Sequence, residues 1–160
     1  MDQAVVDLPD VYQLLRVAVR LTLAAALAGV VGAERQRVGK SAGLRTHMMA
    51  SLGAAVFVLV PIETGLREEL GRVIQGVAAG IGFIGAGTIL KPAYGQGEVH
   101  GLTTAATIWL TAAIGAAAGA GLLWLATVSA AVAWVILSVL SGAERWLSPD
   151  TAEREGESSR

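Results

Sequence analysis

Five stretches of the chain are apolar over nearly the length of a membrane-crossing helix, and this pattern constrains the fold more than any other feature. A helix needs about 20 mostly apolar residues to cross the hydrocarbon core of a bilayer. Hydrophobic residues make up 54% of the chain and charged residues only 16%, whereas about 25% of a soluble domain is charged. We therefore predict an all-α, polytopic membrane helix bundle. The expected spans are residues 14–33, 48–62, 73–90, 102–118 and 122–140.

The organisation follows from the links between these spans. Residues 1–140 are expected to form one five-helix transmembrane domain, and the polar residues 141–160 a disordered cytoplasmic tail. The second span is short, so its helix could begin within the polar stretch before it. The first apolar segment is expected to remain as a membrane anchor, because an acidic N-terminus lacks the positive region of a signal peptide.

Basic residues predict the orientation. The first link carries Arg35, Arg37, Lys40 and Arg45, whereas the second link sets Arg67 and Arg72 beside three glutamates. Links rich in Lys and Arg stay on the cytoplasmic side. We therefore expect the N-terminus outside, with the first link, the third link and the C-terminus in the cytoplasm.

The octet GIGFIGAG, residues 80–87, contains the G-x-G-x-x-G pattern of dinucleotide-binding proteins, at Gly80, Gly82 and Gly85. That pattern binds phosphate only between a strand and the N-terminus of a following helix. Here it lies inside an apolar run, so close packing of membrane helices is the favoured interpretation. A hinge or break in the third helix is the alternative, because glycine weakens a helix.

Other pairs of small residues at helical spacing predict further packing faces. They are Gly76 with Gly80, Gly82 with Ala86, Ala28 with Gly32, Ala50 with Ala54, and Gly115 with Gly119. Gly87 continues the first of these faces. Since the third span is richest in such residues, we expect it at the centre of the bundle, and we expect a homo-oligomer through glycine faces.

Three stretches, in this order, resemble the MgtC/SapB family of bacterial inner-membrane proteins: GAERQRVGKSAGLRTH, RVIQGVAAGIGFIGAGTIL and VHGLTTAATIWLTAAIG. The resemblance covers roughly residues 14–140. It implies a five-helix inner-membrane domain and roles in growth at low magnesium, survival inside host cells, membrane energetics and control of partner membrane proteins. Many members carry a further cytoplasmic domain, and this chain is expected to be a short form without it.

The resemblance also implies a set of functional residues. They are Glu34, Arg35, Gly43, Arg45, Thr46, Arg72, Gln75, Gly80, Gly82, Gly85, Gly87, Gly101, Thr103, Thr104 and Trp109. His47 and His100 are left outside this set.

Glu34 is the candidate metal ligand, because it is the one acid beside four basic residues at the end of the first span. It could bind a cation or form a switchable ion pair. The alternative is a solvated carboxylate paired with Arg37 or Arg45. Arg45 could bind lipid phosphate or serve only as a positive-inside residue.

Three further positions have ordinary structural alternatives. Arg72 is expected to pair with Glu63, Glu68 or Glu69, the alternative being an outer gate.

Thr103 or Thr104 is expected to cap the fourth helix. With Thr107 and Thr111 they form a stripe of hydroxyl groups that could bond a neighbouring helix or line a path. Trp109 is expected to be a packing anchor, whereas Trp124, Trp134 and Trp146 are expected to face lipid.

The functional expectation is a non-catalytic protein of magnesium or membrane-potential homeostasis that acts on partner membrane proteins. The alternative is a channel or transporter for Mg²⁺ or another small ion; a weaker one is a lipid- or anion-binding module using Arg35 and Arg45. The predicted spans hold no Asp or Glu, which favours the regulator. No cofactor other than Mg²⁺, no enzyme and no nucleic-acid partner is expected, because the net charge is −1, cysteine is absent and no nucleophile–base pair is visible.

Overall fold

The computed structural model describes residues 9–89 and 99–147, with side chains up to residue 139. Over these ranges the chain folds into five α-helices and one short 3₁₀ turn. They are α1 Val11–Arg37, α2 Leu44–Glu63, the 3₁₀ turn Arg67–Glu69, α3 Leu70–Ala86, α4 Leu102–Gly119 and α5 Leu123–Leu147.

The protein is an all-α membrane helix bundle, as predicted. α1, α2 and α4 are each long and apolar enough to cross a bilayer. α5 is apolar over Leu123–Val139, and α3 has 17 residues. Among the described residues, three helices are thus each long and apolar enough to form a complete membrane span.

Several helix boundaries differ from the predicted spans. α2 begins at Leu44, within the polar stretch before the predicted span. The shortness of that predicted span had left such an earlier start open. α5 runs to Leu147, so the prediction of a disordered tail from residue 141 is wrong for residues 141–147. The rest of that tail lies outside the described residues.

Short glycine-containing turns make α1 and α2, and likewise α4 and α5, antiparallel neighbours. Gly39 (φ 69°) follows α1, and Gly121 (φ 85°) separates α4 from α5. Positive φ is costly for other residues, so glycine suits both turns. The second of these turns lies in the sequence GAG, residues 119–121.

α2 and α4 form the centre of the bundle. α2 packs most extensively on α4 and α1, α5 covers α1 and α4, and α3 lies at the edge against α4 and, less closely, α2. The prediction that the third helix lies at the centre is therefore wrong. Glycine density alone does not determine which helices approach one another.

Between two helices, the closest backbone approaches involve glycines of α1 and α4. A methyl group on Gly115 would overlap the carbonyl oxygen of Ser51, and one on Gly119 would lie 2.6 Å from that of Ala55. A methyl group on Gly32 would lie 2.9 Å from Cα of Leu44. Small-residue packing is thus confirmed for α1 and α4.

In α3 the same substitution would meet open space at most of the glycines. Gly76, Gly80 and Gly82 have no neighbour within 4 Å of an added methyl group. Gly85 does pack, because its added methyl group would contact Ala105 at 3.5 Å. Most of the third helix's glycine faces are therefore unused inside one copy of the bundle.

The α2–α4 contact gives a stability prediction. Gly115→Ala forces the two backbones apart, so we expect it to lower the free energy of unfolding by about 1–3 kcal/mol or more. Gly76→Ala is the matched control, and we expect it to be neutral or stabilising because alanine favours helix. Denaturant titration of the purified protein in detergent, followed by circular dichroism, measures both. Equal stability of the two variants would contradict the α2–α4 contact.

Candidate functional site: a buried polar junction of three helices

The end of α1 meets the beginnings of α2 and α4, and we call this region the Glu34 end of the bundle. Glu34 is only 7% exposed, although it is ionisable and lies near the end of α1. Both of its oxygens accept from Arg37, Oε1 from Nη2 at 2.8 Å and Oε2 from Nε at 3.0 Å. The alternative interpretation, a solvated carboxylate paired with Arg37 or Arg45, is right about Arg37 as the partner but wrong about solvation, because the carboxylate is buried.

Arg35 joins the end of α1 to the start of α4. Its side chain is 5% exposed, and its Nη2 donates to Oγ1 of Thr104 at 3.4 Å. A cation at a helix C-terminus is favourable, because the helix dipole is negative there. Arg35 therefore helps hold two helices together from within the bundle.

The start of α4 is not capped by threonine. Its N-cap is Gly101, with φ 94°, and no side chain caps it. The capping prediction for Thr103 or Thr104 is therefore wrong. Thr104 is buried against Arg35, and Thr103 is exposed.

His47 is the residue that the sequence analysis missed. It is fully buried, with its Nδ1 2.8 Å from the carbonyl oxygen of Gly43 and its Nε2 3.2 Å from Oγ1 of Thr107. Because α2 begins at Leu44, His47 lies one turn before Ser51 on the buried face of that helix. The i, i+4 spacing of His47 and Ser51 could have indicated a shared buried helix face. The predicted span began at residue 48, after His47, so this spacing was not considered.

Hydroxyl groups extend from this junction into the interior of the bundle. Thr107 donates to the carbonyl oxygen of Thr104 at 2.9 Å, and Thr111 to that of Ile108 at 2.9 Å. Ser51 donates across the α1–α2 contact to the carbonyl oxygen of Ala24 at 2.8 Å. The predicted threonine stripe thus bonds neighbouring helices at Thr104 and Thr107, and its own helix at Thr111.

Other residues of the predicted set lie on the surface rather than in the buried contacts of the junction. Arg45, Thr46 and Gln75 are exposed. Arg72 pairs with Glu69 at 3.1 Å, on the surface, which confirms one of its predicted partners. Trp109 is 49% exposed, so its expected role as a packing anchor is wrong; Trp124 and Trp134 are exposed as predicted, and the side chain of Trp146 lies outside the described residues.

A wide apolar groove of about 550 Å³ separates α2 from α3. Gly76 and Gly80 line it from α3, and Gly53 and Phe57 from α2, whereas Gly82 is not among its lining residues. The octet that starts at Gly80 continues the helix without a break as far as Ala86. A phosphate-binding strand–turn–helix is thereby excluded, and so is a break in this part of α3.

The opposite end of the bundle, the Glu63 end, has its own polar contacts. Oε2 of Glu63 accepts from Nε2 of Gln13 at 2.7 Å and lies 3.5 Å from Nη2 of Arg16. Arg20 donates to the carbonyl oxygen of Gly119 at 3.2 Å, which satisfies the last turn of α4. These contacts tie α1 to α2 and α4, and none of these pairs was predicted from the sequence.

Comparison with known proteins identifies the family. The family model described as the MgtC family matches residues 21–146. The chain belongs to the MgtC family. Its predicted resemblance is therefore confirmed.

Curated relatives of this MgtC-family chain include three differently named proteins. It is 45% identical to Protein SrpB of Synechococcus elongatus over 79% of the chain and 74% of SrpB. It is 41% identical to the "Putative magnesium transporter YhiD" of Escherichia coli K12, over 76% of the chain and 59% of YhiD. It is 43% identical to Protein MgtC of Brucella abortus, over 64% of the chain and 42% of that protein. No solved structure gives a significant match.

The metal role of Glu34 in this MgtC-family chain stays a prediction. Within residues 9–89 and 99–147, no three His, Cys, Asp or Glu side chains are grouped as metal ligands would be. Both oxygens of Glu34 already accept from Arg37. A cation at this carboxylate would have to compete with the guanidinium.

The Glu34–Arg37 pair gives a second prediction. Arg37→Met leaves a buried carboxylate without this cation, whereas Glu34→Gln removes the charge itself while keeping the shape. Because a buried carboxylate that loses a counter-charge costs more than a neutral amide in its place, we expect Arg37→Met to lower thermal stability more than Glu34→Gln does.

Thermal unfolding of both purified variants beside wild type tests this order. Arg45→Met is the control, because Arg45 is exposed at the same end of the bundle. The reverse order, with Glu34→Gln the less stable, would mean that Arg37 is not the cation that balances Glu34.

Proposed function

We propose that this chain is a non-catalytic membrane protein of magnesium and membrane-potential homeostasis that acts by binding partner membrane proteins. Membership of the MgtC family supports a membrane role. The name of YhiD describes a magnesium transporter, which supports the link to magnesium. The proposed location is the bacterial inner membrane with the N-terminus outside, since the first link is rich in basic residues.

The observation that carries the partner-binding role is the open apolar groove between α2 and α3. Lipid provides little hydrophobic drive for helix association, so membrane helices associate where small residues allow close approach. Gly76 and Gly80 line the groove and have room for a neighbouring backbone. A transmembrane helix of a partner is the proposed occupant, and a second copy of this chain is the alternative, which would make a homo-oligomer.

The packing of the bundle disfavours conduction through a single copy. At Gly115 the α2–α4 contact has no room for a methyl group. The buried hydroxyls beside this contact, those of Ser51 and Thr111, donate to backbone carbonyls. An ion crossing between α2 and α4 would have to separate these helices.

A conduit for Mg²⁺ or another small ion is the second candidate. Glu34 is a buried ionisable group at the end of a spanning helix, and such groups often mark ion pathways. This function would need Arg37 to release the carboxylate and the helices to separate, or several copies to surround a pore.

Two leucine substitutions on α3 test partner binding. Gly80→Leu fills the groove, whereas Gly82→Leu adds the same side chain outside it, also into open space. In a strain that lacks the chain and grows poorly at low magnesium, we expect the Gly82→Leu protein to restore growth and the Gly80→Leu protein to fail. Equal membrane levels and melting temperatures of the two variants are required for the comparison. Equal rescue by both would contradict a role for the groove.

Proteoliposomes that contain only this protein separate the two candidate functions. We expect no entry of Mg²⁺ above that of protein-free vesicles, measured with a trapped indicator. Flux that Glu34→Gln abolishes, with the protein still folded, would overturn the regulator in favour of the conduit.

A further inference from the structure

We propose that His47 is a proton-binding site whose protonation state sets the hydrogen bonding at the start of α4. The proposal depends on the contacts of His47 alone, so it applies to either function considered above. An ionisable side chain buried within a membrane bundle is uncommon and usually functional. The imidazole is completely buried here, between α1, α2 and α4.

The first contact determines which ring nitrogen carries a proton. Nδ1 lies 2.8 Å from the carbonyl oxygen of Gly43. A carbonyl oxygen only accepts hydrogen bonds, so Nδ1 must be the donor in both the neutral and the charged ring. In the neutral ring Nε2 is then an acceptor.

The second contact is where the two protonation states differ. Nε2 lies 3.2 Å from Oγ1 of Thr107, and that hydroxyl also donates to the carbonyl oxygen of Thr104 at 2.9 Å. A hydroxyl has one proton to donate. If His47 is neutral, Thr107 can satisfy either Nε2 or Thr104, but not both.

Protonation removes this conflict. When Nε2 takes up a proton, it donates to Oγ1 of Thr107, and the threonine keeps its bond to the carbonyl oxygen of Thr104. All three contacts are then made at once. The two protonation states of His47 therefore differ by one hydrogen bond at the start of α4.

The charged groups around His47 come from one side of the junction. Arg35 on α1 acts on it electrostatically, and Glu34 and Arg37 lie in the same last stretch of α1. From α4 the neighbouring polar groups are Thr104 and Thr107, which do not titrate in this range. Arg45, on its own helix, is exposed.

The protonation state of His47 therefore changes the hydrogen bonding at the point where α1, α2 and α4 meet. Oγ1 of Thr104 accepts from Arg35, while the carbonyl oxygen of Thr104 competes with Nε2 of the neutral His47 for the hydroxyl proton of Thr107. A change at His47 thus reaches the first turn of α4 and, through Thr104, the last turns of α1.

Nuclear magnetic resonance of histidine-labelled protein in nanodiscs tests the proposal. The chain has two histidines, and His100→Gln, an exposed position, assigns the His47 signals. As the pH falls from about 9 to about 5, we expect Nε2 of His47 to change from acceptor to protonated nitrogen while Nδ1 stays protonated. A ring that remains in one state over this whole range would overturn the proposal.

Two variants with opposite expected effects make the test specific. Thr107→Val removes the acceptor of the charged ring, so we expect it to lower the proton affinity of His47 about tenfold. Arg35→Met removes a like charge, so we expect it to raise that affinity. Thr127→Val, on the exposed face of α5, is the control and should change nothing. Titration of His47 that is the same in wild type and Thr107→Val would show that the threonine does not take part, and would overturn the proposed coupling.

Discussion

The close approach of α2 and α4 is the contact on which the rest of the bundle depends. Gly115 and Gly119 let the α4 backbone lie against the carbonyl oxygens of Ser51 and Ala55. At this separation, side chains one or two turns away become hydrogen-bond partners, including His47 and Thr107. Since lipid offers little hydrophobic drive between helices, such contacts and buried hydrogen bonds supply much of the specificity. α1 and α5 then pack around this pair.

The two ends of the bundle use polar residues differently. At the Glu34 end, Glu34, Arg35 and His47 are all buried and bonded to neighbours on α1, α2 or α4. At the Glu63 end the Arg16 side chain is 56% exposed and contacts Glu63 from the surface. Charges that water can reach contribute little to stability. The buried end is therefore the place where a change of charge has structural consequences, and it contains the proposed proton site.

α3 differs from the other helices because most of its glycines are not used within one copy. Sequence reasoning weighed the number of glycines and placed this helix at the centre. Close packing needs glycines that face a neighbouring backbone, as Gly115 does, rather than many glycines. Gly76 and Gly80 instead line an open groove, and that placement makes the octet a candidate surface for another helix in the membrane.

The sequence by itself determined the all-α membrane class, the approximate positions of the helices, the family, a set of three acidic residues that includes the partner of Arg72, and the small-residue faces of α1 and α4. These follow from apolar run lengths, ordered motifs and i, i+3 spacing, which are local properties of the chain. Only the tertiary structure decided that α3 is peripheral, that Thr104 binds Arg35 instead of capping α4, and that His47 is buried against Thr107. The last two of these outcomes join residues 60 or more positions apart, and all three depend on how the helices cross, which no local pattern specifies.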